Sequence, residues 1–157
     1  HRAPGAVGAA LAHARHAELI PDLLHVHPGA MRVALRAIPG LYCVTDATAA
    51  AAMPDGDYRL GRHRVTKCGG GVRLADGTLA GSTLTMDQAL RNLVESLGLS
   101  LADASRRVST HAAQYLGLGD RGELRIGACA DFVVLDARLR VRQVCAEGQA
   151  IDTAGAA

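Results

Sequence analysis

The sequence predicts an α/β fold, and three observations support this prediction. The chain has 157 residues, of which 49% are hydrophobic, so it is long enough to bury a core of ordinary domain size. Patterns typical of a strand, a helix and a second strand follow one another between residues 17 and 45. Two helical patterns and a strand-rich tail come later. The strand–helix–strand order implies parallel strands covered by helices.

The first part of the chain contains this predicted parallel unit. Residues 5–16 are rich in alanine and predict a short helix, and residues 17–26 predict a strand region interrupted by Pro21. Pro28 suits the first turn of a helix, which continues through MRVALRAI until a Pro-Gly pair ends it. LYCVT at residues 41–45 predicts the next strand. These elements together predict a βαβ unit.

The second part of the chain predicts hairpins, two helices and further strands. Residues 54–81 contain short alternating pieces broken by Gly and Asp-Gly, which predict small hairpins or a long loop. Residues 85–99 place apolar side chains at helical spacing, and Ser100 is predicted to cap a second helix over residues 101–118. Three stretches then predict strands: ELRIG, ADFVVLD and LRVRQVCAEGQAI.

Charge and hydropathy exclude several kinds of partner. The formal net charge is only +2, and arginines alternate at Arg138, Arg140 and Arg142. This alternation predicts the solvated face of a strand rather than a nucleic-acid groove. No apolar run reaches the roughly 18 residues that span a bilayer, and no signal peptide opens the chain. We therefore expect a cytoplasmic protein with no membrane or nucleic-acid partner.

Ionisable side chains follow both strands of the predicted βαβ unit. The carboxyl ends of parallel strands collect functional groups at one edge of a sheet, and here they carry His25, His27 and Asp46. Alternation along a strand would place the two histidines on one face. Strand ends about 5 Å apart would let a histidine and Asp46 reach one ligand. A carboxylate near a metal or a cation there would suit proton transfer.

Each of these residues also has a structural alternative. Asp46 could cap a helix or shape a turn after Ala47. His27 could cap the helix that begins at Pro28, and this is the role that we prefer for it. The residues alone therefore predict a hydrolytic or binding site at two adjacent strand ends, without specifying the reaction.

Four stretches of the chain carry a resemblance to a known family. HRAPGAVGAAL, VTDATAAAAMPDGDYRLG and ADGTLAGSTLTMDQALRNLV resemble segments of the N-acetylglucosamine-6-phosphate deacetylases, which belong to the amidohydrolase superfamily. DRGELRIGACADFVVLD resembles the end that amidohydrolases share. The resemblance extends from His1 to about Asp152, and the long DGTLAGSTLTM stretch makes it specific.

The resemblance implies a fold and a reaction. The family fold is a metal-dependent (β/α)8 barrel with a small β-sandwich built from both chain ends. This chain is then expected to form the C-terminal portion, with the last two barrel strands and their helices in residues 1–121 and sandwich strands in residues 122–157. The family reaction removes acetate from N-acetylglucosamine 6-phosphate and leaves glucosamine 6-phosphate.

The resemblance also implies a catalytic residue. Asp46 matches the aspartate at the end of the eighth barrel strand of the family. This aspartate takes a proton from the metal-bound water that attacks the amide carbonyl, and it returns the proton to the departing amine. Asp46 is therefore expected to be the general base and acid.

Substrate contacts follow from the same matches. His25 corresponds to the family histidine that contacts the sugar. Arg2 corresponds to the arginine that binds the phosphate, which in family homodimers reaches into the neighbouring subunit's site. Leu79, Ala80 and Gly81 correspond to a loop that contacts the substrate through backbone groups. The expected partners are thus an amino-sugar phosphate and, in the complete enzyme, a second copy of that enzyme in a homodimer.

The metal ligands implied by the resemblance fall outside this sequence. In the family they are a glutamate and two histidines on earlier strands, N-terminal to the stretch that matches HRAPG. We therefore expect a divalent metal, Zn or Fe, in the complete enzyme and no metal ligand in this chain. Two positions depart from the family pattern: Ala3 replaces a glutamate, and Leu23 replaces a glycine that usually precedes the Leu-His pair.

Two alternatives to a deacetylase remain at this point. The chain could be a non-catalytic fragment that is stabilised by pairing with another chain through an exposed sheet edge. It could also belong to an amidohydrolase with a different substrate, such as a dihydroorotase-like or adenine-deaminase-like enzyme. The DGTLAGSTLTM stretch and Arg2 argue against this second alternative, because they suit a sugar phosphate.

Overall fold

The computed structural model describes residues 2–152, and in these residues the strands form three β-sheets. The first sheet has two parallel strands. The second has four antiparallel strands, and the third has three. One helix connects the two strands of the first sheet. Along the chain, further helices lie between the last strand of the second sheet and the first strand of the third. The predicted α/β class is confirmed.

The predicted βαβ unit is present in the first part of the chain. Its elements, in order, are helix α1 (Gly5–His13), strand β1 (Glu18–Leu19), helix α2 (Pro28–Ala37) and strand β2 (Tyr42–Cys43). Strands β1 and β2 pair in parallel, as expected for strands joined by a helix.

Strand β1 is shorter than the strand region predicted over residues 17–26. Pro21 lacks the N–H that a strand ladder needs, and Leu23 adopts a left-handed φ of 67°. The chain therefore leaves the extended conformation and turns between Asp22 and His25. Glycine adopts such a left-handed φ more readily than leucine does.

The predicted hairpins form the second sheet. It is a meander of strands β3 (Gly56–Leu60), β4 (His63–Cys68), β5 (Gly71–Arg73) and β6 (Leu79–Ser82). A small core of buried Ala50, Val65 and Val72 stabilises it.

Both predicted helices are present, and each contains a π-helical turn. Helix α3 (Met86–Arg91) continues into a π-helical turn (Asn92–Ser96). Helix α4 (Leu101–Ser105) continues through a π-helical turn (Arg106–Thr110) into helix α5 (His111–Tyr115). The predicted cap is confirmed, because the Ser100 hydroxyl accepts a hydrogen bond of 3.1 Å from the backbone N–H of Asp103.

The main core joins the parallel strands to these helices. It is formed by apolar side chains of the first sheet, of α2 and of the region from α3 to α4: Leu19, Met31, Leu35, Ile38, Leu41, Cys43, Leu90, Leu93, Leu97 and Ala104. This packing keeps the ends of β1 and β2 in fixed positions relative to each other.

The third sheet contains strands β7 (Phe132–Leu135), β8 (Val141–Ala146) and β9 (Gln149–Ile151). The strand predicted for ELRIG is wrong, because the backbone N–H of Ala128 bonds to the carbonyl of Arg125 and Gly127 has a φ of 86°. This turn breaks the extended chain. No helix within residues 2–152 is long and apolar enough to cross a membrane.

Candidate functional site

Asp46 lies on a turn that follows β2 and is held by strand β6. The carbonyl of Asp46 accepts a hydrogen bond of 3.0 Å from the N–H of Ser82, and the carbonyl of Ser82 accepts one of 3.0 Å from the N–H of Thr48. The buried Ser82 hydroxyl donates to the carbonyl of Thr45. These three bonds hold the backbone of the turn on both sides of Asp46, whose φ is 48°.

The helix-cap alternative for Asp46 is wrong. Residues 48–53 form turns closed by hydrogen bonds from Ala51 to Thr48 and from Met53 to Ala50. Asp46 is exposed, so its carboxylate is accessible to a ligand.

The carboxylate of Asp46 borders a cavity of about 420 Å³ at the ends of the two parallel strands. The other lining residues are Glu18, Leu19, Ile20, Val26 and Val44. Two acidic residues and four apolar residues therefore line the cavity. A larger cavity of about 770 Å³, beside α3 and the turn between β7 and β8, does not include Asp46. The smaller cavity is the candidate site because it lies at the ends of the parallel strands and includes Asp46.

Strand β6 brings Gly81 next to Asp46. A Cβ atom on Gly81 would lie 3.9 Å from Oδ2 of Asp46 and only 2.5 Å from Cγ2 of Thr48. Leu79 and Ala80 are half-buried on the same strand. The structure thus places Gly81 beside the carboxylate of Asp46, whereas Leu79 and Ala80 share only its strand.

His25 lies in the turn between β1 and α2, and its ring is bonded to Asp22. The Nδ1 atom of His25 is 2.6 Å from Oδ2 of Asp22. Neighbouring Leu24 extends over Gly71 in β5, where the side chain of Leu79 also packs. The turn that carries His25 therefore contacts the same sheet that holds the Asp46 turn.

The expectation that His25 and His27 share a strand face is wrong, because the chain turns before it reaches them. The preferred role of His27 is confirmed: its Nδ1 accepts a hydrogen bond of 3.1 Å from the N–H of Gly29 and caps α2. His27 is therefore a helix cap, whereas His25 has a buried carboxylate as its partner.

Asp22 is a functional candidate that the sequence analysis missed. Burial opposes ionisation of its carboxyl group, but hydrogen bonds from the N–H groups of His25 and Leu24 and from the His25 ring outweigh this effect. They hold the pKa of Asp22 below its ordinary value. The Pro-Asp dipeptide at Pro21 and Asp22 is a turn signal that could have identified this position.

Arg2 is exposed ahead of α1. Within residues 2–152 its guanidinium makes no hydrogen bond or ion pair. The structure therefore does not bring Arg2 into contact with Asp46 or His25.

The described residues do not form a metal site by themselves. Residues 2–152 contain no group of three or more His, Cys, Asp or Glu side chains that could hold a metal ion.

Comparisons with known proteins relate the chain to one family. The sequence model of the amidohydrolase family matches residues 44–152. A putative N-acetylgalactosamine-6-phosphate deacetylase of Escherichia coli K12 is 47% identical over 152 residues, which cover 95% of this chain and 91% of that relative. The N-acetylgalactosamine-6-phosphate deacetylase of Escherichia coli O157:H7 is also 47% identical, but the match covers 40% of it.

A solved structure supports the same relationship. The crystal structure of N-acetylglucosamine-6-phosphate deacetylase from Thermotoga maritima matches with a TM-score of 0.89 and 36% identity. This match covers 96% of the present chain and 42% of the Thermotoga chain. The chain thus spans about two fifths of the longer relatives. It belongs to the amidohydrolase family, and its resemblance to the N-acetylglucosamine-6-phosphate deacetylases is confirmed.

Proposed function

We propose that this chain carries the general base of an amide hydrolase that removes acetate from an N-acetylhexosamine 6-phosphate. The observation that carries the proposal is the accessible carboxylate of Asp46, on a turn bonded to β6 and beside the cavity at the ends of β1 and β2. The names of the relatives support the choice of reaction.

Asp46 moves one proton in this reaction. Its carboxylate takes a proton from water as the water oxygen attacks the amide carbonyl carbon. The carbon–nitrogen bond then breaks, and Asp46 returns the proton to the departing amine. The products are acetate and a hexosamine 6-phosphate. A side chain positioned for such transfers typically contributes roughly 10²- to 10⁴-fold in rate.

Other residues of the proposal bind the substrate. His25 contacts the sugar, and Leu79, Ala80 and Gly81 offer backbone groups to it. Arg2 binds the phosphate, for which the planar guanidinium fork is suited. Arg2 is exposed ahead of α1, where a ligand can reach its guanidinium. In a homodimer Arg2 would serve the partner subunit's site.

The finer architecture is part of the same proposal. The parallel pairing of β1 and β2 supports their assignment, with their helices, to the last two units of a (β/α)8 barrel within residues 1–121. The separate antiparallel sheet of β7 to β9 supports a part of a small β-sandwich within residues 122–157. A barrel of this kind typically needs about 250 residues, so other strands must complete it. These strands would also supply the ligands of a divalent metal, Zn or Fe, that activates water.

A chimera tests the role of Asp46. In the deacetylase of Escherichia coli O157:H7, the matched segment, which is 40% of that protein, would be replaced by this chain. We expect the chimera to release acetate from N-acetylhexosamine 6-phosphates when Zn²⁺ or Fe²⁺ is supplied. We expect Asp46→Asn to lower its kcat by roughly 10²- to 10⁴-fold, because the carboxylate no longer accepts a proton.

Asp55→Asn is the matched control, since Asp55 is an exposed aspartate in the loop ahead of β3. The control should keep the chimera's activity, and both variants should unfold at the same urea concentration. An Asp46→Asn chimera that remains as active as the control would contradict the proposal. A well-folded, metal-loaded chimera without any activity would instead favour a non-catalytic fragment.

Two N-acetylhexosamine 6-phosphates are candidate substrates, and they differ in the configuration of a single hydroxyl group. The two relatives that are 47% identical to the chain are named N-acetylgalactosamine-6-phosphate deacetylases, whereas the Thermotoga structure is of an N-acetylglucosamine-6-phosphate deacetylase. The ratio of kcat/KM for the two sugars, measured in the chimera and in its parent, decides between them. A ratio shifted towards the glucosamine compound would show that residues of this chain select it.

A further inference from the structure

The turn between β1 and α2 holds a buried carboxylate against the ring of His25. Only 4% of the Asp22 side chain is exposed, compared with 20% of the His25 side chain. Oδ2 of Asp22 lies 2.6 Å from Nδ1 of His25. Oδ1 accepts hydrogen bonds of 3.0 Å each from the N–H groups of Leu24 and His25. Both oxygens of this carboxylate are therefore bonded within one turn.

The surroundings keep this turn in place. The side chain of Asn92, in the π-helical turn after α3, donates a hydrogen bond of 2.8 Å to the carbonyl of Pro21. Leu23 packs against the main core. The residues on both sides of Asp22 are therefore held, Pro21 by the bond from Asn92 and Leu23 by the core.

The bond to Asp22 determines which nitrogen of His25 carries the proton in the neutral ring. An ionised carboxylate only accepts hydrogen bonds, so Nδ1 must be the donor. In a neutral imidazole the other nitrogen then has a free lone pair. This leaves Nε2 as the single acceptor that His25 can offer to a ligand.

We propose that Asp22 is a positioning residue that fixes His25 as the Nδ1–H tautomer and so makes Nε2 an acceptor for a hydroxyl group of the sugar. The first half of this inference concerns the chain alone. The second half rests on the proposed function, because it uses the contact between His25 and the substrate.

The tautomer can be measured directly by nitrogen-15 NMR of the imidazole rings in the full chain. The spectrum is recorded at about pH 9, well above the ordinary pKa of imidazole, and His25→Gln assigns the signals. We expect His25 to show protonated Nδ1 and unprotonated Nε2 in the wild-type chain. A protonated Nε2 in the neutral wild-type ring would overturn the proposal without any further variant.

Asp22→Asn should reverse the tautomer. The amide oxygen of asparagine should take the place of Oδ1 and accept the hydrogen bonds from the N–H groups of Leu24 and His25. Its NH₂ group then takes the place of Oδ2 and faces Nδ1 of His25. Nδ1 must then accept, and the proton moves to Nε2. Asp76→Asn is the matched control, because Asp76 also accepts a hydrogen bond of 3.0 Å from a backbone N–H two residues later, in the turn before β6. The control should leave His25 unchanged, and an unchanged His25 in Asp22→Asn would overturn the proposal.

Titration with glucosamine 6-phosphate separates this inference from the proposed function. We expect the Nε2 signal to shift as a hydroxyl group donates to it, and we expect Asp22→Asn to abolish this shift. An Nδ1–H tautomer with no response of Nε2 would contradict the sugar contact of His25 and the acceptor role of Nε2. The anchoring of His25 by Asp22 would still be supported in that case.

Discussion

Gly81 of β6 lies beside the side chains of Asp46 and Thr48. Its φ is 112°, a backbone conformation that residues with a Cβ atom rarely adopt. A Cβ there would also lie 2.5 Å from Cγ2 of Thr48. The small residue at this position is therefore required by backbone conformation and by packing, in addition to any contact with a substrate.

We expect Gly81→Ala to lower the free energy of unfolding by about 2–5 kcal/mol, since a left-handed conformation costs ~1–2 kcal/mol and overpacking ~1–3 kcal/mol. Gly77→Ala is the control, because Gly77 has a φ of 86° but open space around it. Gly77→Ala should lower the free energy of unfolding only by the cost of the left-handed conformation. Urea unfolding measures the free energy of unfolding of both variants. Adding Thr48→Ser to Gly81→Ala removes the Cγ2 atom and should recover the extra loss relative to Gly77→Ala. Equal losses for the two alanine variants would contradict the steric explanation.

At the scale of elements, Arg107 joins the helical region from α4 to α5 to the βαβ unit. Its guanidinium donates hydrogen bonds of 2.9–3.1 Å to four backbone carbonyls at the end of α2 and just ahead of β2, namely those of Leu35, Ile38, Pro39 and Leu41. Arg107 itself lies in the π-helical turn (Arg106–Thr110). One side chain therefore satisfies the last carbonyls of α2 and fixes the start of β2.

We expect Arg107→Gln to lower the free energy of unfolding by about 2–4 kcal/mol, because hydrogen bonds from a charged donor are worth ~1.5–3 kcal/mol and carbonyls lose their partner. Arg107→Lys should recover part of this loss. Arg106→Gln is the control, since Arg106 is 52% exposed and its ion pair within residues 2–152 is with the equally exposed Asp103. It should cost less than about 1 kcal/mol.

Hydrogen exchange provides a second measurement for the Arg107 variants. The N–H groups of Tyr42 and Val44 pair with the carbonyls of Ala17 and Leu19 across the parallel sheet. These N–H groups should exchange faster in Arg107→Gln than in Arg106→Gln. Equal exchange and equal unfolding in the two variants would mean that Arg107 does not hold the sheet.

At the scale of the whole molecule, the fold lowers the pKa of six aspartates within residues 2–152. Burial raises the pKa of Asp22 and Asp87, but hydrogen bonds outweigh it. Hydrogen bonds are the largest cause for the other four, which are Asp76, Asp103, Asp120 and Asp136. Each of these groups binds its proton more readily in the unfolded chain. Their stabilising effect is therefore complete above the ordinary carboxyl pKa and disappears as the pH falls through the folded-state values.

We expect the urea midpoint to be constant from pH 7 to about pH 5 and to fall steadily below that. Asp22→Asn should lower the midpoint at pH 7 and make the acid decline shallower, since the shifted carboxyl is removed. Asp55→Asn should change neither. A urea midpoint that rises as the pH is lowered from 5 to 3 would contradict this prediction.

Local patterns predicted most helices because their signals lie within the helices. Pro28 and the capping His27 mark the start of α2, and Ser100 marks the start of α4. ELRIG was predicted incorrectly because its apolar residues resemble a strand, whereas the turn at Gly127 prevents pairing. The position of Asp46 at a strand end was predictable, but the partner of His25 was not, because a turn replaced the expected strand.

The order β1, α2, β2, the caps of the helices and the location of Asp46 after a strand were determined by the sequence itself, since neighbouring residues encode them. Only the tertiary structure decided that Ser82 holds the Asp46 turn, that Arg107 bonds the end of α2 and that Asp22 anchors His25. The first two bonds join segments far apart in the chain, and the third depends on a turn formed against Asn92. Their geometry results from how the elements pack, which no local pattern of residues specifies.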